Sequence, residues 1–469
     1  MSDRPVAVIL AAGRGTRMKS KLSKVLHPIC GRPMVGWVSA AAKAAGATPI
    51  LVLHHQEEAV RAAFPNLRAV RQESPRGTGD AARSAMGEFP ENGPVLVLAG
   101  DTPLLKPDTL RRLLDTHGDA LCTVLTAHVG EPGAYGRIVR RPDGSVARIV
   151  EAANATEDEL AIDEINTGVY CFDAAWLRDV ALPGLKPNPP KDEYYLTDVI
   201  AAAAERGGDA LRALVHNDAS ETMGVNDRWA LSKAEAMLQA RILEAHARKG
   251  VTFQQPDTAR VEVDVEIGND VTIGPGACLL GSTKIGDDVT VEGHCVLIDT
   301  RVHNGAWIRA FSHCEGADVG PNTRVGPHAR LRQDAVLREG VRIGNFVEVK
   351  KATLEPFATA GHLSYIGDSR VGARSNIGAG TITCNYDGVQ KHHTEIGADT
   401  FIGSNTSLVA PVEIGEGALV GAGSVIIDDV PANAIAVARG EQSVTANAAK
   451  RYKKRLETQK AQNDDGSNS

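Results

Sequence analysis

The sequence predicts an α/β half built on a mostly parallel sheet, followed by a long helix and then a parallel β-coil of six-residue repeats. Three observations lead there. Short apolar runs alternate with helical segments in the first part: Val6 to Leu10, a helix through Met34 to Ala45, Ile50 to Leu53, and Val95 to Leu98. From about Asn226 to Lys249, Leu231, Ala234, Leu238, Ile242 and Ala245 fall on one side at helical spacing, and Gly250 stops the run. From Val261 to Ile426 an aliphatic residue followed by Gly recurs with a period of six, as in IGNDVT at Ile267, IGDDVT at Ile285, VGPHAR at Val325 and IGEGAL at Ile414.

The repeat dictates its own geometry. The fifth position of each unit is Val, Ala, Thr or Ser, so two side chains of every six suit a tight interior. A unit this short holds no useful helix. Very short strands with a corner at each Gly fit it, three units to a turn, with turns stacked at about 4.8 Å around an aliphatic column. The register jumps between 297 and 319, between 349 and 371, and between 377 and 396. Each jump predicts extra residues, looped out or absorbed at corners, on a face suited to binding. Those segments hold His362 and Tyr365 in TAGHLSYIGD, and Asn385 with Tyr386 in TITCNYDGVQKHH.

A chain of 469 residues has room for several cores, and the pattern divides it at 1–225, 226–250, 251–440 and a polar tail over 441–469, expected to be loose. With 58 acidic against 51 basic residues and no basic face before the tail, a nucleic-acid partner is not expected. Seven cysteines without a CxxC pair point to a reducing compartment and away from a disulfide framework or thiolate zinc site. No leader pattern is seen and no apolar stretch reaches about 18 residues, so a cytoplasmic protein without a membrane partner is expected.

Chemistry concentrates first after the Val6 to Leu10 run, in AAGRGTRM. Gly13 and Gly15 could cradle a phosphate against the next helix, or could form a plain turn. A dinucleotide fingerprint fails because its third glycine would fall at Met18, and GxxxxGK[ST] is absent. Arg17 and Lys24 flank the loop, and Gln72, Gly77 and Thr78 lie in a polar stretch poor in core residues. Asp101 follows a strand end, where a carboxylate suits Mg²⁺; it could equally cap the next helix, as Asn226 could cap the long one.

Together these stretches resemble two known folds joined in one bacterial family. The hexapeptide coil is similar to the left-handed parallel β-helix of the trimeric hexapeptide acyltransferases. The first half resembles the Rossmann-like nucleotidyltransferase domain that makes nucleotide sugars. From about residue 5 to 440 the chain resembles the bifunctional N-acetylglucosamine-1-phosphate uridyltransferases and glucosamine-1-phosphate N-acetyltransferases. The resemblance implies a homotrimer that uses acetyl-CoA, UTP and Mg²⁺ with glucosamine-1-phosphate and N-acetylglucosamine-1-phosphate. It puts Leu10, Ala11, Ala12, Gly13, Arg17 and Lys24 at the nucleotide, Gln72, Gly77 and Thr78 at uracil, and Asp101 with Asn226 at the metal. Gly136, Glu151 and Asn166 match the amino-sugar residues. At 99–101 the chain reads AGD where relatives often carry Tyr before the Gly.

The implied reactions make physical sense of these residues. A sugar-1-phosphate already carries an anionic nucleophile, so attack on UTP needs alignment and charge neutralisation but no general base. Acetylation does need one, because the glucosamine ammonium must lose a proton first. His362 matches the family's proton acceptor, and Arg332 and Lys350 match the sugar-phosphate residues. Tyr365, Asn376, Asn385 and Tyr386 match further substrate positions; Ala379, Ser404, Ala422 and Arg439 match acetyl-CoA positions. RQDA at 332–335 replaces the commoner RPGA and keeps Arg332. A transferase with an inert trimerising coil, or a non-catalytic scaffold, are the rival readings; neither would need Lys24, Asp101, Asn226 and His362 together.

Overall fold

The computed structural model describes residues 4–189 and 192–466, and the chain divides into two compact units, Met1–Thr283 and Lys284–Ser469. The first is built on nine strands: β1 (Val6–Leu10), β2 (Thr48–Leu53), β3 (Arg68–Arg71), β4 (Pro94–Ala99), β5 (Cys122–His128), β6 (Arg137–Arg140), β7 (Val146–Val150), β8 (Glu164–Asp173) and β9 (Leu211–His216). The order is β9-β5-β8-β4-β1-β2-β3, with the β6–β7 hairpin attached through β8. All neighbours along this path are parallel except β8, which runs antiparallel to β4 and β5.

The central strands read as unbroken apolar runs because both of their faces are covered. Val8, Val52 and Val97 point into one core with Phe172, Leu182 and Val199. Ile9, Leu51 and Leu98 point into the other, against Val35 and Val38 of helix α1 (Met34–Ala44) and Leu110 and Leu113 of α2 (Pro107–His117). Truncating a fully buried member such as Leu98 to Ala would cost about 2–5 kcal/mol.

The long helix is α3 (Arg228–Ala247), which buries Ala234 and Leu238 against Ile29, Met34 and Leu104. Its cap is Asp227, whose side chain accepts from Ala230 N at 2.8 Å, so the capping alternative for Asn226 is overturned. Gly250 follows in the left-handed region at φ 99°. The first coil turns are fastened to the helix and the sheet domain. Gln239 exchanges hydrogen bonds with the Val261 backbone at 3.1 and 3.2 Å, and Val263 N donates to Cys30 O at 3.0 Å. These contacts carry the first unit on to Thr283, past the break expected after residue 250.

The second unit stacks short parallel strands in three interior columns. Val291, Ile308, Val325, Ile343, Ala360, Ile377, Ile402 and Val420 form one, each paired with the next. Leu297, Cys314, Leu331, Val349 and Ile366 begin the second; Val302, Val319, Leu337, Leu354, Val371 and Ile396 belong to the third. This corrects the reading of the first two register jumps. Val302, Ile308 and Cys314, and likewise Leu354, Ala360 and Ile366, are buried coil residues, so nothing loops out there. The register shifts because some units have five residues, shortened at corners. Between Cys384 and Thr394 the chain does leave the coil.

His362 therefore lies on the strand Thr359–His362, and Tyr365 opens the strand Tyr365–Val371; neither is in a looped-out segment. The tail also departs from expectation. Residues Ala448–Gly466 form a helix, α4, whose run AAKRYKKRLETQK is made largely of good helix formers. Among the described residues no helix is long and apolar enough to cross a membrane.

Candidate functional site

In the first unit the end of β1 is stitched to both neighbouring strands, Gly100 N just past β4 donating to Leu10 O and Ala11 N to Val52 O of β2, both at 2.9 Å. This opens a cleft of about 380 Å³ at their carboxyl ends, as open α/β sheets do. Leu10, Ala11, Ala12, Gly13, Lys24, Gln72, Gly77, Thr78 and Asp101 line it together, as does Glu193, which carried no sequence signal.

The two loop glycines do different work. At Gly15 φ is 58° and an added Cβ would stand 2.4 Å from the Lys24 Cβ, so this glycine lets the loop close on the lysine. At Gly13 nothing lies within 4 Å of such a Cβ, which leaves room for a ligand. Gly77, at φ 95°, would drive a Cβ to 2.5 Å from Tyr194 O, and Thr78 Oγ1 accepts from Leu196 N at 3.1 Å. Gln72 is buried, and its amide nitrogen donates to Asp80 at 2.8 Å and to Gly77 O at 3.3 Å.

Asp101 caps no helix, since α2 begins at Pro107 with Lys106 as its cap residue. Val225 N donates to Asp101 O at 2.9 Å, and this backbone bond brings Asn226 beside the carboxylate. Lys24 Nζ pairs with Asp101 and donates to Asn226 Oδ1 at 2.8 Å; Arg17 Nη2 donates to the same oxygen at 2.8 Å. Among the described residues no group of three or more His, Cys, Asp and Glu side chains stands ready for a metal. Asp101 and Asn226 offer two hard oxygens, which fits an ion that completes its shell with water and phosphate.

Gly136, Glu151 and Asn166 gather around β6, β7 and β8. Asn166 N donates to Gly136 O at 2.8 Å, and the Asn166 amide exchanges hydrogen bonds with the Tyr170 hydroxyl at 2.8 and 3.0 Å. Burial pushes the Glu151 carboxyl above its usual range, opposed by the Thr197 hydroxyl at 3.4 Å and reinforced by Asp198. Tyr135, missed in the sequence, accepts from Gly224 N at 3.2 Å and links this group to the Asn226 segment.

In the second unit the singled-out residues form two groups. His362, Ala379, Ser404 and Ala422 occupy one corner on successive turns, each two residues past a paired column residue. Asn345 pairs with His362 on the turn before, its Oδ1 2.5 Å from His362 Nδ1. Arg439 Nη1 donates to Ala422 O at 2.8 Å, closing the far end.

The second group is cationic. Arg332 Nη1 donates to Glu348 at 2.9 Å, and Lys391 beside Lys350 pushes the latter's ammonium pKa down, with burial and Arg332 adding and Asp368 opposing. The loop that departs after Cys384 delivers Lys391, through a bridge with Tyr386. Asn385 donates to Asp368 at 2.5 Å and to the Tyr365 hydroxyl at 3.4 Å. Tyr365 begins the short face between the two groups; its hydroxyl would meet a Cβ on Gly367 at 2.4 Å. Asn376 lies apart from both, on the face that carries Phe401. His392 and His393, the neighbouring histidines, are paired with Asp387 at 2.7 Å and Glu395 at 3.2 Å.

Comparison with known proteins follows the same division. Residues 7–161 match the MobA-like NTP transferase domain, and residues 264–298 and 393–428 match the bacterial transferase hexapeptide (six repeats). The region between the two hexapeptide matches contains the five-residue units. Proteins named bifunctional protein GlmU are similar along nearly the whole chain. That of Trichlorobacter lovleyi is 45% identical over 444 residues, 93% of this chain and 96% of the relative. That of Halalkalibacterium halodurans is 45% identical over 450 residues, 94% and 98%. That of Acinetobacter baumannii is 44% identical over 443 residues, 94% and 97%.

Proposed function

The chain belongs to the family of bifunctional GlmU proteins, acetyltransferases and uridylyltransferases in one polypeptide, and from that premise we propose how its residues divide the work. The first unit transfers uridylyl from UTP to N-acetylglucosamine-1-phosphate and releases diphosphate. The second transfers acetyl from acetyl-CoA to glucosamine-1-phosphate. The observation that carries this is the meeting of Asn226 with Lys24 and Asp101, two residues that line the cleft alongside Leu10 to Gly13.

In the uridylyl site, Leu10 to Gly13 hold the nucleotide along a floor without obstructing side chains. Both amide N–H groups of Gln72 are used internally, so its carbonyl oxygen is the group available to a uracil N–H. Gly136, Glu151 and Asn166 bind the amino sugar. Lys24 and Arg17 neutralise the charge that grows on the phosphate oxygens during in-line attack. Asp101 and Asn226 would hold Mg²⁺, which when bound would supply further charge neutralisation.

In the acetyl site, His362 takes the amine proton. Asn345 Oδ1 accepts from its Nδ1–H, which leaves Nε2 with the free lone pair. Arg332, Lys350 and Lys391 meet the sugar phosphate, and the crowding of the two lysines is what an anion would relieve. Ala379, Ser404 and Ala422 leave a trough of small residues for the pantetheine arm, with Arg439 at its end for a coenzyme phosphate.

We also infer a homotrimer formed through the coil. His294, Phe311, His328 and Phe346 stack ring on ring at 5.0–5.3 Å up one corner, with φ between 55° and 62°. Leu363 continues the row at φ 52° and is 62% exposed, against 54% for Phe311 and 57% for Phe346. A bulky residue in the left-handed region costs about 1–3 kcal/mol, and apolar exposure adds to it. Burial against a second copy would offset both. Seven free cysteines support a reducing, cytoplasmic setting. An assay with glucosamine-1-phosphate, acetyl-CoA, UTP and Mg²⁺, each omitted in turn, tests the assignment. UDP-N-acetylglucosamine should form only from the complete mixture.

A further inference from the structure

Lys24 does more than line the cleft. Its ammonium pairs with Asp101 and donates to Asn226 Oδ1 at 2.8 Å, and Arg17 occupies the same Asn226 oxygen at 2.8 Å. The stem is fixed at its root, where Gly15 leaves no gap against the Lys24 Cβ. Only 12% of the lysine side chain and 23% of the Asp101 side chain stay exposed. These are the oxygens assigned above to the divalent ion. An ion held by both oxygens would need the space that the ammonium fills. Two like charges cannot share that half-buried space without strong repulsion.

We propose that Lys24 is a place-holding cation, whose ammonium occupies the position between Asp101 and Asn226 until a triphosphate draws it away, so that divalent ion and nucleotide are taken up together. The inference rests on the assignment of Asp101 and Asn226 to the metal. Lys24 and Gly13 line the same cleft, and the open space at Gly13 gives phosphate oxygens a place beside the ammonium. Once the ammonium has turned to phosphate, Asp101 and Asn226 regain their lone pairs for the ion. By linkage, each ligand then raises the other's affinity by the same factor. Arg17 reaches Asn226 alone, from the exposed side, and is the lesser competitor.

The test uses Mn²⁺ as a spectroscopically visible stand-in, titrated by electron paramagnetic resonance into the full chain without nucleotide. Lys24→Met should bind Mn²⁺ at least about 10-fold more tightly than the wild type, within the usual range of such couplings. Adding Asp101→Asn to that variant should abolish the gain. Lys24→Gln, which keeps length and polarity, is measured alongside, with acetyl transfer and melting temperature as folding controls. Equal Mn²⁺ affinity in the wild type and both Lys24 variants overturns the place-holder, and so does a gain that survives Asp101→Asn. Wild-type protein that makes no UDP-sugar with any divalent ion would instead sink the uridylyl assignment. Normal, ion-dependent synthesis with unmoved Mn²⁺ affinity in the Lys24 variants sinks the place-holder alone.

Discussion

Asn345 and His362 stand one above the other on consecutive turns of the coil, amide Oδ1 to imidazole Nδ1 at 2.5 Å. That contact fixes the ring and its tautomer, which a base needs and a merely packed histidine does not. His362→Ala should lower acetyl transfer by roughly 100-fold or more and leave uridylyl transfer untouched. Asn345→Ala, which frees the ring, should cost about 10-fold in acetyl transfer through loss of orientation. Acetyl transfer unchanged in a folded His362→Ala protein would eliminate the base, and the paired state of His392 and His393 makes them poor substitutes.

Asp101→Ala should remove uridylyl transfer by about 100-fold or more and leave acetylation near normal. Asn226→Ala should act in the same direction but less, since it removes a neutral ligand. A capping role is already excluded for both by Lys106 and Asp227. Near wild-type turnover of Asp101→Ala at saturating UTP and Mg²⁺ would remove it from the metal.

The contacts of α3 say where the chain can be cut. A fragment ending near residue 228 loses Ala234 and Leu238 from the core formed with Ile29, Met34 and Leu104. It also loses the bonds of Gln239 to Val261 and of Cys30 to Val263. A fragment ending at Thr283 keeps both and should be the more stable of the two by several degrees in melting temperature, about 2–4 °C for each kcal/mol. It should synthesise the UDP-sugar and release no coenzyme A. Equal melting of the two fragments would show that the first coil turns add nothing.

Much of this was legible in the sequence, for identifiable reasons. VAVIL and VLVL are apolar on both faces because both faces are covered, so strand and sheet type could be read together. The register jumps could not be read so cleanly. A shift of phase has the same appearance whether residues are inserted or units are shortened. Column members such as Cys314 and Ala360 carry little hydrophobic signal. Lys391 escaped because a loop charge has no period, and its worth comes only from Lys350 and Arg332 beside it.

The ring ladder offers a test of the proposed trimer. Phe311→Asn with Phe346→Asn replaces two strained, exposed rings by a residue that accepts the left-handed region readily. The protomer should therefore keep or gain thermal stability while sedimentation equilibrium shows loss of the species at three times the chain mass. Acetyl transfer should fall with the trimer and uridylyl transfer should persist. A double variant that remains trimeric would remove the ladder from the interface.

Glu151 sets stability against function. Its carboxyl pKa is raised, first by burial and then by Asp198, with Thr197 opposing. A carboxyl whose folded pKa lies above the unfolded value adds stability while protonated and loses it as pH rises through the folded value. At pH 7–8 the ionised group is therefore a net cost, and Glu151→Gln should raise the melting temperature there. Below about pH 3, where the carboxyl is protonated in both states, the two proteins should melt together. The same substitution removes a charged acceptor from the group proposed, with Gly136 and Asn166, to bind the amino sugar. The KM for N-acetylglucosamine-1-phosphate should then rise by roughly 10-fold or more, the usual worth of a hydrogen bond to a charged group. Glu151→Gln melting like the wild type at both pH values would refute the buried charge, and an unchanged KM would move the sugar contact to another side chain.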